Sequence, residues 1–201
     1  MLRQAATLFG FCTVLLAARS SLADHYFVPT GSMIPTVAIG DRVLVNKVAY
    51  SLRLPFSTVT VASFAQPTPG DVVVLDSPED GRTLLKRVVA VPGDEVEVSG
   101  GQLRINGRVV PVEGNGDSGP TALPAALIER LGKIAHPIQL TNGGGASLGP
   151  IRLPADEFLV MGDNRGESHD GRAFGPVKRE AIRGRAWSVW LRDGRPCWRP
   201  L

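Results

Sequence analysis

Cysteine is scarce in this 201-residue chain, which holds only Cys12 and Cys197. Two cysteines exclude a disulfide-built scaffold and a cysteine-based zinc site. Cys12 lies inside an apolar run, so a bridge to Cys197 is not expected. Histidine is sparse too: His25, His136 and His169 show no metal-ligand spacing, and no HExxH occurs, which argues against a zinc hydrolase. A GxSxG elbow and a P-loop are missing, and nothing local supports a Ser-His-Asp triad. Concentrated positive charge is also absent. The formal charge is +3, but Arg3 and Arg19 flank the N-terminal apolar run, and everything after residue 19 carries only +1. Residues 178–201 carry +5 and residues 20–177 carry −4. The body therefore lacks the basic face of a nucleic-acid binder, and no nucleic-acid partner is expected.

Residues 4–18 read QAATLFGFCTVLLAA, without a charge between Arg3 and Arg19. From Leu2 to Leu22 the run is about 21 residues, enough to span roughly 30 Å of hydrocarbon if Arg19 snorkels. The uncharged core alone has the length of a signal-peptide h-region, and Ser21-Leu22-Ala23 has the small residues of a cleavage site. Composition alone is compatible with a retained anchor or a cleavable signal. Either one brings the body to a membrane.

The body reads as β structure. Strand-like runs cover Asp41–Val48, Asp71–Leu75, Thr83–Val91, Asp94–Val98, Gln102–Ile105, Arg108–Val112, Glu157–Met161 and Arg185–Leu191. Asn106-Gly107 between two such runs predicts a type I′ hairpin. One segment, Ala122–Ile134, reads as helix, with Pro124 in its first turn. Residues 113–121 and 142–150 are Gly-rich and polar. They fall within a stretch, roughly 97–155, with few candidate catalytic groups. That stretch reads as an inserted lobe, with the flanking segments forming one core sheet system.

Three places carry chemistry. Ser32 lies on a Gly31-Ser32-Met33 turn between Pro29 and Pro35, a loop stiff enough to present a hydroxyl. An isolated Gly-Ser is ordinarily just a turn. Lys86, one of four lysines against eighteen arginines, lies in TLLKRVVAV. In a strand it shares a face with Leu84, Val88 and Ala90. Burial there lowers a lysine's pKa, and a neutral amine can activate a serine in place of histidine. Taken alone, an edge-strand lysine whose head reaches water is the plainer reading. The third place, Gly162–Gly175, packs Asp163, Asn164, Arg165, Ser168, Asp170 and Arg172 together, without the acid alternation of a calcium loop.

In order along the chain stand Ser32-Met33-x-Pro35-Thr36, Gly40-Asp41, Pro69-Gly70-Asp71-Val72, Lys86-Arg87-Val88, Pro92-Gly93-Asp94 and Gly162-Asp163-Asn164-Arg165 with Ser168, Asp170 and Arg172. This series resembles the boxes of bacterial type I signal peptidases and runs from about Leu16 to Leu191. The resemblance extends to Arg19-Ser20 after the apolar run, which favours a retained anchor. It implies a mainly β fold: an antiparallel catalytic core (24–96 and 156–201), a smaller inserted β-rich lobe (97–155) and one N-terminal transmembrane helix (1–23). It implies a membrane-anchored serine endopeptidase, single-pass in the bacterial inner membrane with its catalytic part on the periplasmic face. Such an enzyme removes signal peptides from exported preproteins after Ala-x-Ala-like sites.

By the same resemblance Ser32 is the nucleophile and Lys86 the general base. The Ser32 amide and the Thr30 hydroxyl hold the oxyanion, Ser168 orients the lysine, and Asp170 and Arg172 support the loop. Tyr26, Val28, Pro29, Met33, Val37, Leu84 and Leu85 fall where small substrate residues are received. No metal or organic cofactor is implied, and the partners are signal peptides and the lipid bilayer. The chain departs from the pattern at Gly166-Glu167, where the family often has Asp-Asn, at Gly171, often Ser, and at Thr30, a serine or glycine position. Alternatives are a dedicated processing peptidase of a conjugation or secretion system and a non-catalytic membrane-tethered β module. A self-cleaving LexA-type repressor shares the dyad but needs an N-terminal helix-turn-helix. Trp187, Trp190 and Trp198 lie in the basic C-terminal stretch, a composition suited to a membrane interface or to packing on a final strand.

Overall fold

Runs of β-branched residues bounded by glycine and proline become strands. The computed structural model describes residues 4, 22–54, 57, 59–114 and 127–201. The first part of the chain forms β1 (Ala23–Phe27), β2 (Arg42–Asn46), β3 (Ser51–Arg53), β4 (Thr60–Ser63), β5 (Val72–Asp76) and β6 (Thr83–Ala90). The middle forms β7 (Glu95–Ser99), β8 (Gln102–Ile105), β9 (Arg108–Val109), β10 (Val112–Gly114), β11 (Leu127–Leu131), β12 (Ile134–Ile138) and β13 (Leu148–Arg152). Last come β14 (Glu157–Met161), a one-turn helix α1 (Gly171–Phe174), β15 (Val177–Lys178), β16 (Ile182–Arg192) and β17 (Arg195–Pro200).

The main sheet runs β1-β2-β16-β5-β6-β14-β15, and β17 also pairs with β16. The pairings within this sheet are antiparallel. β5 pairs with Ile182–Ala186 of β16 and β17 with Ser188–Arg192, so both lie along the edge opposite β2. β5 is apolar on both faces because both faces are covered. Val72 and Val74 join one core with Met33, Val37, Val43 and Val189; Val73 and Leu75 join another with Val88, Phe158 and Val160. Each fully buried side chain of this kind contributes about 1.5–3 kcal/mol. The middle segment forms two further sheets, β13-β7-β8-β9 and β10-β11-β12. Its core, with Val96, Leu103 and Leu131, is shared with Ala90, Leu159 and Met161 of the main sheet.

The type I′ hairpin forms as expected, with Asn106 and Gly107 both at positive φ and Ile105 opposite Arg108. The helix expected at Ala122–Ile134 is corrected. Residues 122–126 lie outside the described residues, and Leu127–Leu131 is strand β11, joined to β12 by Gly132-Lys133. Gly132, at φ +61°, suits the first position of a two-residue hairpin turn. Good helix formers yield here to ladder pairing on both sides, with β10 and β12. The anchor expected at residues 1–23 lies outside the described residues but for Gln4, Leu22 and Ala23, and Ala23 begins β1. Among the described residues no helix is long and apolar enough to cross a membrane.

Candidate active site

Ser32 follows β1 on a tight turn that the core holds in place. Met33 and Val37 are completely buried, and Val37 N–H donates to the Met33 carbonyl at 2.9 Å. Val28 N–H donates to Asp41 O and Gly40 N–H to Val28 O, closing the base of the turn. The Asp41 carboxylate accepts from Ala38 N–H and pairs with Arg192 of β16. A hydroxyl on such a turn is held by packing on one side and by backbone bonds on the other.

Lys86 lies in β6 beside β5 and is 3% exposed. Its stretch of β6 has no partner on the β14 side among the described residues, yet its head does not reach water. Its Nζ donates to Ser32 Oγ at 2.7 Å. Burial pushes the ammonium down to about 8; Asp170 and Asp163 pull it upward, and Arg172 lowers it further. Among the described residues Lys86 makes no ion pair, so its closest polar contact is the serine hydroxyl.

The loop after β14 closes the other side. Asn164 N–H donates to the Ser32 carbonyl at 3.1 Å, and Asn164 Nδ2 to that of Gly31 at 3.2 Å. Asp163 accepts from Arg87 Nη2 at 2.8 Å and from the Thr36 hydroxyl, tying this loop to the lysine strand and the serine turn. Burial alone would raise the Asp163 carboxyl, yet Arg87, His136 and Thr36 hold it below the usual range. Gly162 is required by space: a Cβ there would collide with the Ser168 hydroxyl and the Ser32 carbonyl. Asp170 caps α1, accepts Gly162 N–H at 2.9 Å and pairs with Arg172. Arg172 in turn donates to the carbonyls of Gly144 and Arg165.

Ser32 and Lys86 line a groove of about 370 Å³. Tyr26, Val28, Pro29, Thr30, Met33, Leu84 and Leu85 line it; Val37 lies in the core behind the turn instead. Phe27, Val43, Val74, Arg82 and Thr83 also line it and were not expected. Val43 and Val74 were legible as strand residues; their facing into one groove depends on which strands become neighbours. Two long edges border the groove. β1 pairs only with β2, and β14 pairs with β6 only from Arg87 onward, leaving Thr83–Lys86 without a partner on that side among the described residues.

A largely apolar groove lined by a serine hydroxyl and the buried amine that contacts it is the arrangement of a serine peptidase. The chain belongs to the family described as "Signal peptidase, peptidase S26", whose model matches residues 1–191. It is 36% identical over 198 residues to a signal peptidase I of Pseudomonas fluorescens, covering 91% of this chain and 70% of that protein. It is 31% identical over 182 residues to thylakoidal processing peptidase 1 of Arabidopsis thaliana, covering 89% and 45%. A solved structure of an Enterococcus faecalis signal peptidase I shares 25% identity, with coverage of 61% and 98% and a TM-score of 0.41. The protein is therefore a serine endopeptidase, a hydrolase acting in signal-peptide cleavage.

Two departures from the family pattern have a local cause. A Cβ at Gly166 would overlap the Thr141 carbonyl, which passes directly against the loop. One at Gly171 would meet Leu159 Cδ1 and Val160 O at 2.8 Å, where α1 rests on β14.

Proposed function

We infer that Ser32 and Lys86 form a catalytic dyad that cuts exported preproteins after small residues, at Ala-x-Ala-like sites. The observation that carries this reading is the 2.7 Å contact between Lys86 Nζ and Ser32 Oγ in the wall of a largely apolar groove. Once Lys86 loses its proton the contact reverses, and the serine hydroxyl donates to the neutral amine. Ser32 Oγ then bonds to the scissile carbonyl carbon while its proton passes to Nζ. The Ser32 amide and the Thr30 hydroxyl face the developing oxyanion. The C–N bond breaks as Lys86 returns the proton to the leaving amine. Water, deprotonated by the same lysine, releases the acyl group as a carboxylate and regenerates Ser32.

An extended peptide entering between the unpaired edges of β1 and β6 gains backbone hydrogen bonds. Val28, Met33, Val43, Val74 and Leu85 make the lining of the groove largely apolar, which suits small apolar side chains. Ser168, whose buried hydroxyl packs against Gly162 and has no hydrogen-bond partner among the described residues, is the group that turns to orient the amine, and Asp170 with Arg172 supports the loop. Residues 24–96 with 156–201 are the catalytic core, 97–155 the inserted lobe, and 1–23 an anchor in the bacterial inner membrane with the catalytic part on its periplasmic side.

The test is full-length protein in detergent with a purified preprotein. Mass spectrometry of the products is expected to place the cut after an Ala-x-Ala-like site, and Ser32→Ala and Lys86→Met are expected to abolish it. Full activity in a folded Lys86→Met variant would refute the dyad.

A further inference from the structure

The mechanism above leaves one group of buried charges unused. Glu129 of β11 is completely buried and grips both terminal nitrogens of Arg165, the last residue of Gly-Asp-Asn-Arg. Arg165 is itself 1% exposed and donates to the carbonyls of Gly162, at 3.3 Å, and Gly101, at 2.8 Å. His136 of β12, opposite Glu129 in the ladder, is 4% exposed. Its Nε2 lies 3.3 Å from Glu129 Oε2 and 3.8 Å from Asp163 Oδ1. The same hairpin continues into Gln139, whose N–H donates to Asp163 O at 2.9 Å and whose carbonyl accepts Arg165 N–H at 2.8 Å. Thr141 then donates its hydroxyl to Asn164 Oδ1 at 2.7 Å.

We propose that Glu129 and His136 are positioning residues for catalysis: from the inserted lobe they brace Arg165 and Asp163, and through Asp163 they fix the serine turn and the lysine strand. This rests on the Ser32/Lys86 reading. Asp163 is the junction, because it holds Arg87, next to Lys86, and Thr36, four residues after Ser32. Buried carboxylates and guanidiniums this close are costly unless all are matched. The charged groups facing His136 are Glu129 from β11, Asp163 and Arg165 from the loop, and Arg87 from β6 behind Asp163. A hairpin used only to cover a core has no need of them. The segment that shows the fewest catalytic residue types in sequence thus supplies a support for the catalytic loop.

The experiment compares full-length wild type with His136→Gln, Glu129→Gln and Arg130→Ala in the preprotein assay, beside Ser32→Ala and Lys86→Met. Arg130 lies on the same hairpin but faces solvent, paired with Glu113. His136→Gln decides, since it leaves the Glu129–Arg165 pair in place; near-UV circular dichroism matching wild type is required first. Expected is a fall in kcat of about 10- to 100-fold, because small misplacements of reacting groups cost that much. KM should change less than about threefold, since the groove is built from other elements. The acid limb of kcat/KM should also shift, because Asp163 pulls the Lys86 amine upward and loses part of its support when His136 is replaced. Glu129→Gln should lower kcat further, and Arg130→Ala should behave as wild type. If folded His136→Gln and Glu129→Gln keep wild-type kcat and pH profile while Ser32→Ala is dead, this inference fails and the dyad stands. If Lys86→Met stays active, the dyad itself fails.

Discussion

Lys86 and Arg87 are neighbours in one strand and are both buried, yet the molecule treats the two cations in opposite ways. Arg87 meets Asp163 with two nitrogens and the Gly70 carbonyl with a third, so its charge is matched and fixed. Lys86 meets a hydroxyl, and no carboxylate lies within ion-pair distance among the described residues. Adjacent side chains on a strand point to opposite faces, so one face supplies a closed set of ions and the other an open site. Arg165 with Glu129 and Arg172 with Asp170 belong to the closed kind. A buried ion held by a partner keeps its protonation and its geometry. One left without a partner gives up its charge near neutral pH and becomes a base.

Removing the reacting groups gives the largest expected effect. Ser32→Ala and Lys86→Met should each lower kcat by about 10⁴-fold or more, read from initial rates on a preprotein. On the matched side the expected damage is to stability: Arg87→Ala or Asp163→Asn strands a buried charge and should cost about 3–5 kcal/mol in urea unfolding. Equal stability of these variants and wild type would erase the contrast.

Gly162→Ala forces a methyl onto Ser168 and the Ser32 carbonyl, and about a 10²-fold loss of kcat is expected. Lys86→Met should also make the protein more stable at pH 7, on the order of 1–3 kcal/mol. The sign follows from the depressed amine. Folded Lys86 titrates near about 8 instead of 10.5, so the unfolded chain holds the proton more tightly. The burial cost is full below pH 8 and fades as pH rises toward 10.5, where the two proteins should converge. For the same reason, wild-type kcat/KM should climb with pH up to about 8 and then level. Smallest of all is Arg130→Ala, whose exposed pair with Glu113 should leave the melting temperature unchanged.

Most strands of the main sheet were legible because their β-branched runs are bounded by turn residues. Glu157–Met161 and Gln102–Ile105 were placed to the residue, whereas Ile182–Arg192 is longer at both ends than expected. β1 and β17 escaped notice, since ADHYF and RPCWRP have little local strand character and gain it from β2 and β16. The helical reading of 122–134 failed for a related reason: its Leu and Glu residues favour a helix in isolation, while the Gly132 turn and two neighbouring strands favour a ladder. That misreading also hid the pairing of Glu129 with His136: a helix ending at Ile134 leaves His136 beyond it, whereas in the hairpin the two stand directly opposite.

By itself the sequence determined the strand-forming segments, the sharp turns that only glycine permits, and the ordered boxes that place Ser32, Lys86 and the Gly162–Arg172 loop in one family. Those features are local, written in a few neighbouring residues. The tertiary structure alone decided that Lys86 is buried and without an ion-pair partner, that Val43 and Val74 face the same groove, and that a distant hairpin braces the loop. Each of these depends on which strands become neighbours and on how much water their packing excludes, and neither is encoded in any single stretch of chain.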